Sequence, residues 1–449
     1  MKIKFLGAAG TVTGSSYVLT SGSGQSILID LGMFQGTPDI EKLNYENFDA
    51  NPQQFLGMVL THAHLDHCGR LPILFPKGFD GNVFMTAPTK DLTEIALMDA
   101  AKIAKADDKQ ILYDDDLAQQ AITHFKTINY HEPFTIGDFT IKMWDAGHII
   151  GSTSLEIEDH NPNSEIRRIV FSGDLGNTPE PLQRPTEFLS SADAVVMEST
   201  YGDRLHPQLN AADAVQSEIN TIEKTGGTLL IPAFSLERTQ ELLHMIKHLK
   251  LEGKVAPQTQ VYMDGPMAQK ATMVYLAYPE VLNAHIQTEL GADNPFEFPG
   301  LVVVRGAEES RGIREIPGPK VIIAGSGMMV GGRIVGHAAY YLPIASTRLL
   351  IVGYQGEGTL GRALKEGAKS VKINGENVTV QASVSDTQAL SSHADQGQLM
   401  DWLKHIQNTK KVFLTHGENV PRASLAEKIG QELGISDISL PKLNEEISF

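Results

Sequence analysis

A block of three histidines and an aspartate directly follows an apolar strand of this chain. The apolar residues 57–60 precede Thr61-His62-Ala63-His64-Leu65-Asp66-His67. If the backbone stays extended, His62 and His64 share one side, whereas Asp66 and His67 turn the corner and can address a second ion. Neutral imidazoles suit Zn²⁺ and its transition-metal neighbours, and a carboxylate suits a bridging role. The block therefore predicts a metal site at a strand end.

Three further candidate ligands stand at the ends of other predicted strands. His148 follows the predicted strand TIKMW, Asp174 follows the predicted strand RRIVF, and His416 closes the segment KVFLTH. The alternative is a polar surface loop that is enriched in histidine by chance, and each residue alone would fit it. Taken together, the strand-end positions favour one metal-binding set.

The composition excludes several classes of protein. Apolar residues make up 41% of the 449 residues, with 41 Gly and 22 Pro, which is typical of folded globular chains. The single Cys68 cannot form an intrachain disulfide, and the amino terminus lacks the apolar core of a secretory signal, so we expect a cytoplasmic location. No apolar run is long enough for a membrane span, so we expect no membrane partner.

The charge constrains how a nucleic acid could bind. The 37 basic and 54 acidic residues give a net charge of −17, which argues against binding polyanions by general positive charge. The acid excess lies mainly in residues 1–206. Any attraction for nucleic acid must therefore be local.

Changes of pattern divide the chain into three segments. Residues 1–206 show short strands with Gly-rich turns, residues 207–368 alternate between helix and strand, and residues 369–449 return to the first pattern. The middle alternation predicts an α/β region with a parallel sheet. Helices are predicted over 211–224, closing on Gly226 and Gly227, and over 235–250, with Ser235 as N-cap.

The ligand series resembles that of the metallo-β-lactamase superfamily. This resemblance implies an αββα sandwich with a dinuclear zinc site at one edge. It also implies a role for each matched residue. One Zn²⁺ would be held by His62, His64 and His148, the other by Asp66, His67 and His416, with Asp174 bridging them and Asp30 orienting the ligands from outside.

Three motifs beyond this series resemble the β-CASP nuclease branch of the superfamily. They are Met197-Glu198-Ser199-Thr200-Tyr201-Gly202, Ser391-Ser392-His393-Ala394-Asp395 and the strand end with His416. The resemblance implies that 207–368 is an inserted α/β β-CASP domain, which caps the core and leaves a cleft for single-stranded RNA. The core would resume over 369–449 as an RNA-specificity region. Histidine at position 416 is typical of members that act on RNA, so the chain looks like a compact, stand-alone bacterial ribonuclease of this branch, similar to the polyadenylation cleavage endonuclease.

Hydrolysis of a phosphodiester needs a nucleophile, neutralised charge and a proton for the leaving oxygen. Two metal ions about 3.5–4 Å apart supply the first two needs, with Asp66 and Asp174 orienting the attacking water. His393 would protonate the leaving 3′ oxygen while Glu198 fixes its tautomer, which gives 5′ phosphate and 3′ hydroxyl products. The alternative is that His393 caps a helix beginning at Ala394.

The middle segment offers predicted contacts to the RNA backbone. A strand end that runs into a helix N-terminus, and two Gly-rich loops after apolar strands, let backbone amides approach a phosphate. Such loops alone also mark tight turns, and the resemblance is what makes them expected RNA contacts. The residues concerned are Ser235, Arg238, Ser326, Gly327, Arg333, Gly361 and Arg362.

The leading hypothesis is a zinc-dependent ribonuclease, an endonuclease with 5′ exonuclease activity as a second capability. A small-molecule hydrolase of the same superfamily is one alternative, and a non-catalytic RNA-binding subunit is another. Mn²⁺ is an open alternative to Zn²⁺, and the sequence leaves the oligomeric state open. His337 is assigned to packing. His244, His248 and His285 are given no metal-binding role, because their spacing matches no metal motif.

Overall fold

The computed structural model describes residues 1–46, 48–106, 110–161, 167–207 and 210–449. This part of the chain divides into two compact units: unit 1 comprises Met1–Leu205 and His393–Phe449, and unit 2 comprises His206–Ser392. Among the described residues, no helix combines the length and the apolar character that crossing a membrane requires.

The amino-terminal part of unit 1 consists mainly of strands. The strands β1 to β11 are Lys2–Phe5, Ser16–Thr20, Ser26–Leu31, Phe55–Val59, Asn82–Met85, Phe125–Thr127, Phe134–Ile136, Phe139–Asp145, Thr153–Asp159, Arg168–Phe171 and Ala194–Met197. The helices α1 to α4 are Pro38–Lys42, Leu65–Cys68, Ala87–Ala106 and Asp115–Ile122. Short 3₁₀ helices occupy Leu43–Tyr45, Pro52–Gln54 and Leu71–Lys77.

Unit 2 alternates between strands and helices, and unit 1 then resumes. The strands β12 to β19 are Thr228–Pro232, Gln260–Asp264, Leu301–Val304, Lys320–Ala324, Arg348–Ile351, Ser370–Ile373, Glu376–Thr379 and Ser383–Asp386. The helices α5 to α11 are Ala211–Thr225, Arg238–Leu251, Pro266–Ala277, Ala284–Leu290, Ala307–Gly312, Arg333–Tyr341 and Leu360–Lys365. The resumed part of unit 1 contains β20 to β22, at Lys411–Leu414, Asp437–Ser439 and Glu446–Ser448, and α12 and α13, at Gln396–His405 and Asn419–Leu433.

Unit 1 is a sandwich of sheets between helices. One sheet has the order β22-β1-β2-β3-β4-β5-β6, and the other has the order β21-β20-β11-β10-β9-β8-β7. Successive side chains of a strand point to opposite faces, so Ile27 and Ile29 of β3 pack between the sheets, whereas Leu28 packs on the side of α3. In β10, Phe171 lies between the sheets and Val170 packs with α12 and α13. These layers confirm the predicted αββα sandwich.

Parallel pairing brings several strand ends of unit 1 to common edges. Strand β4 is parallel to β3 and β5, while β11 is parallel to β10 and β20. Because carboxyl ends of parallel strands meet at one edge, residues that follow β10, β11 and β20 come close together. This pairing places the segments that carry Asp174, Glu198 and His416 side by side.

Unit 2 contains the predicted parallel sheet. Its order is β14-β13-β15-β12-β16-β19, and each neighbouring pair is parallel. Helix α5 begins after Asn210, whose side chain accepts from the Ala212 amide, and it ends at Gly226, whose φ of +67° favours glycine. Helix α6 begins at Arg238, so the prediction that Ser235 is its N-cap is wrong.

Unit 2 also extends further along the chain than the predicted segment 207–368. Residues 369–392 belong to it, although their short strands resemble the pattern of unit 1. Strand β19 pairs with β16, and the β17–β18 hairpin buries Val371 and Ile373 against apolar residues of α10 and α11. The division therefore falls after Ser392, because the hairpin finds its apolar partners within unit 2.

Candidate metal centre

A first group of potential metal ligands comprises His62, His64, His148 and Asp174, whose ligand atoms all lie within 4.8 Å of one another. His64 Nδ1 lies 3.2 Å from the Nε2 atoms of both His62 and His148. Asp174 Oδ2 lies 3.5 Å from His62 Nε2 and 3.7 Å from His148 Nε2. These donor atoms converge on one point.

A second group comprises Asp66, His67 and His416, again within 4.8 Å of one another. His416 Nε2 lies 3.4 Å from Asp66 Oδ2. Asp174 contributes here through its other oxygen, since Oδ1 lies 3.3 Å from His67 Nε2 and 3.7 Å from His416 Nε2. The two oxygens of one buried carboxylate thus face two different groups of ligands.

The spacing of these atoms matches that of metal coordination. With metal–ligand bonds of about 2.0–2.1 Å, neighbouring ligands of a tetrahedral zinc site lie roughly 3.3 Å apart. The separations of 3.2–3.7 Å in both groups are close to this value. Each group could therefore hold a metal ion without rearrangement of its side chains.

The backbone positions the histidine block through tight packing. The short helix α2 begins at Leu65, with His64 in extended conformation at its N-cap, so the backbone changes direction between His64 and Asp66. A Cβ atom at Gly32 would lie 1.5 Å from the carbonyl oxygen of Asp66, so only glycine allows this approach. The Ser15 amide donates to the same carbonyl at 2.9 Å, which anchors the turn.

Asp30 stands behind the histidine block and supports it. Its Oδ1 accepts from the Thr61 amide at 2.7 Å, and its Oδ2 faces Thr61 Oγ1 at 2.7 Å and His67 Nδ1 at 2.8 Å. When His67 donates its Nδ1–H to Asp30, its Nε2 lone pair is left for the metal side. Asp30 therefore has the geometry of the orienting role that the sequence predicts.

His393 and Glu198 lie together beside the metal groups. Glu198 is buried, and its Oε1 accepts from the Leu175 amide at 2.7 Å and lies 3.1 Å from His393 Nδ1. Burial opposes a charge on His393, but the carboxylate of Glu198 raises the pKa of His393 to about 9. A protonated imidazole is the form that a general acid requires.

The alternative role for His393 as a helix cap is wrong. Helix α12 begins at Gln396 rather than at Ala394. Asp395 caps it, because its side chain accepts from the Gln398 amide while the Gln398 side chain accepts from the Asp395 amide.

Sequence reasoning missed supporting hydroxyl groups. Thr200 Oγ1 lies 3.0 Å from His416 Nδ1, so it orients this imidazole from behind. Thr61 Oγ1 lies 3.2 Å from His62 Nδ1 and supports that ring in the same way, whereas Ser15 Oγ lies 3.3 Å from His67 Nε2, on the metal side of the ring. The signal for the threonines was their position within motifs that also carry ligands, whereas Ser15 lies far from any motif.

Burial keeps two imidazoles of the first group neutral. It lowers the pKa of His62 well below its usual range and lowers the pKa of His64 to about 4. A neutral imidazole retains the lone pair that a metal ligand needs.

The carboxylates give the centre an excess of negative charge. Burial by itself would raise the pKa of Asp174, but the imidazoles of His416 and His67 hold it well below its usual range. Burial likewise opposes a charge on His67, yet Asp174 and Asp30 hold the pKa of His67 well above its usual range. The carboxylates therefore stabilise positive charge at the centre, and a bound divalent cation would supply such a charge.

Three of the predicted phosphate-binding segments meet within unit 2. The Gly361 amide donates to the carbonyl of Met328 at 3.3 Å, and the Gln355 side chain donates to the Gly327 carbonyl at 2.9 Å. Ser326 Oγ accepts from the Val330 amide at 3.1 Å, which closes the first Gly-rich loop.

A Cβ atom at Gly327 would lie 2.5 Å from the Phe234 ring, so this glycine is required for close packing. Ser235 belongs to the same region, since its Oγ lies near Gly325.

The predicted arginines differ in their surroundings. Arg238 is 3% exposed and forms an ion pair with Glu241, so this geometry favours a structural role rather than a phosphate contact. Arg333 forms an ion pair with the buried Asp264 and donates to the carbonyl of Val304 at 3.2 Å. Arg362 is the exposed member of the set, with a side chain that is 41% accessible.

Sequence models of known families match three segments of the chain. The metallo-β-lactamase superfamily matches residues 9–200, the Beta-Casp domain matches 239–364, and the Zn-dependent metallo-hydrolase RNA specificity domain matches 377–441. Together with the ligand groups, these matches define a metal-dependent hydrolase.

Relatives are similar over nearly the whole chain. Ribonuclease TTHA0252 of Thermus thermophilus is 37% identical over 97% of this chain and 98% of its own length. Transcription termination factor FttA of Thermococcus kodakarensis is 31% identical over 94% of this chain and 68% of its own length. A crystal structure of a protein of unknown function from Enterococcus faecalis has the same fold, with a TM-score of 0.53 at 13% identity over 99% of each chain. The chain belongs to the β-CASP family of the metallo-β-lactamase superfamily.

Proposed function

We propose that this protein is a Zn²⁺-dependent ribonuclease that uses two metal ions, acting as an endonuclease with 5′ exonuclease activity as a second capability. The observation that carries the proposal is Asp174, whose two carboxylate oxygens face separate groups of ligands. RNA is the substrate class because the RNA specificity domain matches residues 377–441 and because a relative that covers the chain is a ribonuclease.

The two ligand groups would hold one ion each. His62, His64 and His148 would bind the first, Asp66, His67 and His416 the second, and Asp174 both. When bound, such a pair of ions lowers the pKa of a water molecule and neutralises charge on the phosphate. Asp66 and Asp174 would orient that water, because Asp66 belongs to the second group and Asp174 faces both groups.

His393 would supply the proton that the leaving 3′ oxygen needs. Glu198 holds His393 through Nδ1, so the other ring nitrogen can face the substrate. Proton transfer from this nitrogen would leave a 3′ hydroxyl on one product and a 5′ phosphate on the other. Glu198 itself stays buried and acts as a positioning residue.

The Gly-rich loops of unit 2 would bind the RNA backbone. Ser326, Gly327 and Gly361 lie together, and Arg362 adds an exposed cation. Ser235 and Arg333 are proposed contributors to the same surface, while Arg238 supports it from within.

The proposed function can be tested with end-labelled RNA that carries a 5′ hydroxyl, monophosphate or triphosphate. We expect internal cleavage of all three substrates, with 5′ phosphate and 3′ hydroxyl product ends. Shortening only from a 5′ monophosphate would instead identify an exonuclease.

A chromogenic β-lactam and a thioester serve as controls for a small-molecule hydrolase. Activity on these compounds together with intact RNA would overturn the proposal. An empty centre in protein purified without chelators, with RNA bound but uncleaved, would favour the non-catalytic subunit.

A further inference from the structure

Unit 2 contains a second cluster of histidines that the proposed ribonuclease chemistry does not use. His244 and His248 lie one turn apart on α6, and His285 and Glu289 lie one turn apart on α8. The ligand atoms of all four residues lie within 4.8 Å of one another. Residues four apart on a helix share one face, so the two pairs face each other when the helices pack.

The distances within this cluster match a coordination site. His244 Nε2 and His248 Nε2 are 3.0 Å apart. Glu289 Oε2 lies 3.1 Å from His244 Nε2, while Glu289 Oε1 lies 2.9 Å from His248 Nε2 and 3.0 Å from His285 Nε2. Neighbouring ligands of a tetrahedral zinc site lie roughly 3.3 Å apart, so small movements would suffice.

A network of hydrogen bonds alone explains this arrangement less well. One proton at most can lie between the Nε2 atoms of His244 and His248, yet both nitrogens also face Glu289. The third imidazole, His285, converges on the same carboxylate although its side chain is 69% exposed and could extend into water. A cation at the centre would satisfy all four donor groups at once.

The surrounding structure holds the two helices in place for such a site. Lys247, on α6 between the two histidines, donates to Asp293 Oδ2 at 2.8 Å and to the carbonyl of Asn294 at 2.6 Å, just beyond α8. The Asn283 side chain caps α8 by accepting from the Ile286 amide at 3.0 Å. Helix α8 has seven residues and would be marginal alone, so a metal link to α6 would stabilise it.

We infer that His244, His248, His285 and Glu289 form a second, structural Zn²⁺ site that joins α6 to α8. Four protein ligands close the coordination shell, which is typical of structural rather than catalytic zinc. Three imidazoles and a carboxylate in tetrahedral spacing suit Zn²⁺ better than Mg²⁺ or Ca²⁺, which prefer more oxygen ligands.

The test measures bound Zn²⁺ per chain in full-length protein without a histidine tag, after equilibration in a Zn²⁺ buffer. The variants are His285→Ala, which alters an exposed side chain, and Glu289→Gln, which keeps the shape of the residue. His405→Ala is the control, because His405 is an exposed histidine outside both clusters. Circular dichroism verifies that each variant is folded.

Both variants should bind one equivalent of Zn²⁺ at least about 10-fold more weakly than the wild type, since even loss of an outer partner of a ligand weakens binding about 10–100-fold. The control should match the wild type. The difference in Zn²⁺ binding between the variants and the wild type does not depend on how many ions the centre in unit 1 holds. The outcome is therefore separate from the proposed ribonuclease function. Zn²⁺ binding that is unchanged in either folded variant would overturn the inference.

Discussion

The two histidine clusters of this protein use the same kinds of side chain but are built differently. In unit 1 the ligands follow strand ends that are far apart in the chain, and Asp66 and His416 are separated by 350 positions. In unit 2 the candidate ligands form two pairs, each one helical turn apart, between His244 and Glu289. One cluster depends on the topology of the sheets, and the other depends on the packing of two helices.

The clusters also differ in burial and in support. His62 and His148 are fully buried, whereas His285 is largely exposed. In unit 1, Asp66 and Asp174 are candidate ligands and Asp30 stands behind His67 as an outer partner, whereas in unit 2 the carboxylate of the cluster, Glu289, is itself a candidate ligand. A largely buried centre with supported ligands can hold reacting groups in place, whereas a closed set of four ligands suits a structural link. The comparison therefore predicts that chemistry depends on unit 1 alone.

The greatest change in RNA cleavage rate is expected when the shared carboxylate of unit 1 is replaced, and none is expected when the carboxylate of the unit 2 cluster is replaced. Asp174→Asn should slow RNA cleavage by at least about 10³-fold, or about 4 kcal/mol in the barrier, because both ligand groups lose a shared charge. Glu289→Gln should leave the rate unchanged. Single-turnover cleavage of end-labelled RNA measures both. The comparison fails if Glu289→Gln is as slow as Asp174→Asn.

The next effect separates proton transfer from metal binding. His393→Ala should slow cleavage by about 10²–10⁴-fold, the usual contribution of a general acid, while the protein keeps its metal ions. The cleavage rate and the metal content per chain are measured on the same sample, with His405→Ala as the matched control. Loss of both metals in His393→Ala would contradict its assignment as the acid.

A smaller change, in metal affinity, is expected when Asp30, the outer partner of the ligand His67, is replaced. In Asp30→Asn, an amide replaces the oxygen that faces His67 Nδ1, so the imidazole is no longer oriented by a carboxylate. We expect metal affinity to fall about 10–100-fold, measured by competition with a chromogenic chelator. An affinity equal to that of the wild type would show that the burial of His67 alone positions it.

The smallest effect concerns RNA binding by unit 2. Arg362→Ala should weaken RNA binding and reduce the slope of log K against log salt concentration by about 1, as expected for one lost phosphate contact. Lys428→Ala is the control, because Lys428 is also a partly exposed cation paired with a glutamate four residues on. Equal salt slopes for Arg362→Ala and the wild type would remove Arg362 from the RNA surface. Cleavage at saturating RNA should be unchanged.

Sequence patterns predicted local features well. The fully buried strands, the helix that ends at Gly226 and the parallel sheet of unit 2 follow from periodicity and from turn residues. The start of α6 was missed because Glu237, with a φ of +73°, interrupts a segment that otherwise has helical spacing. The sequence pattern groups the β17–β18 hairpin with the rest of 369–449, whereas the structure packs it within unit 2, since short strands look alike wherever they pack.

Short motifs at strand ends were enough to name the candidate ligands of unit 1, and their resemblance to the metallo-β-lactamase superfamily was enough to predict the fold class. The tertiary structure decided which side chains meet. It turned Arg238 toward Glu241, placed the two oxygens of Asp174 between two groups, and brought α6 against α8. The physical reason is that a helix or strand pattern specifies which face is buried, whereas the partner of that face is chosen by packing over long separations in the chain.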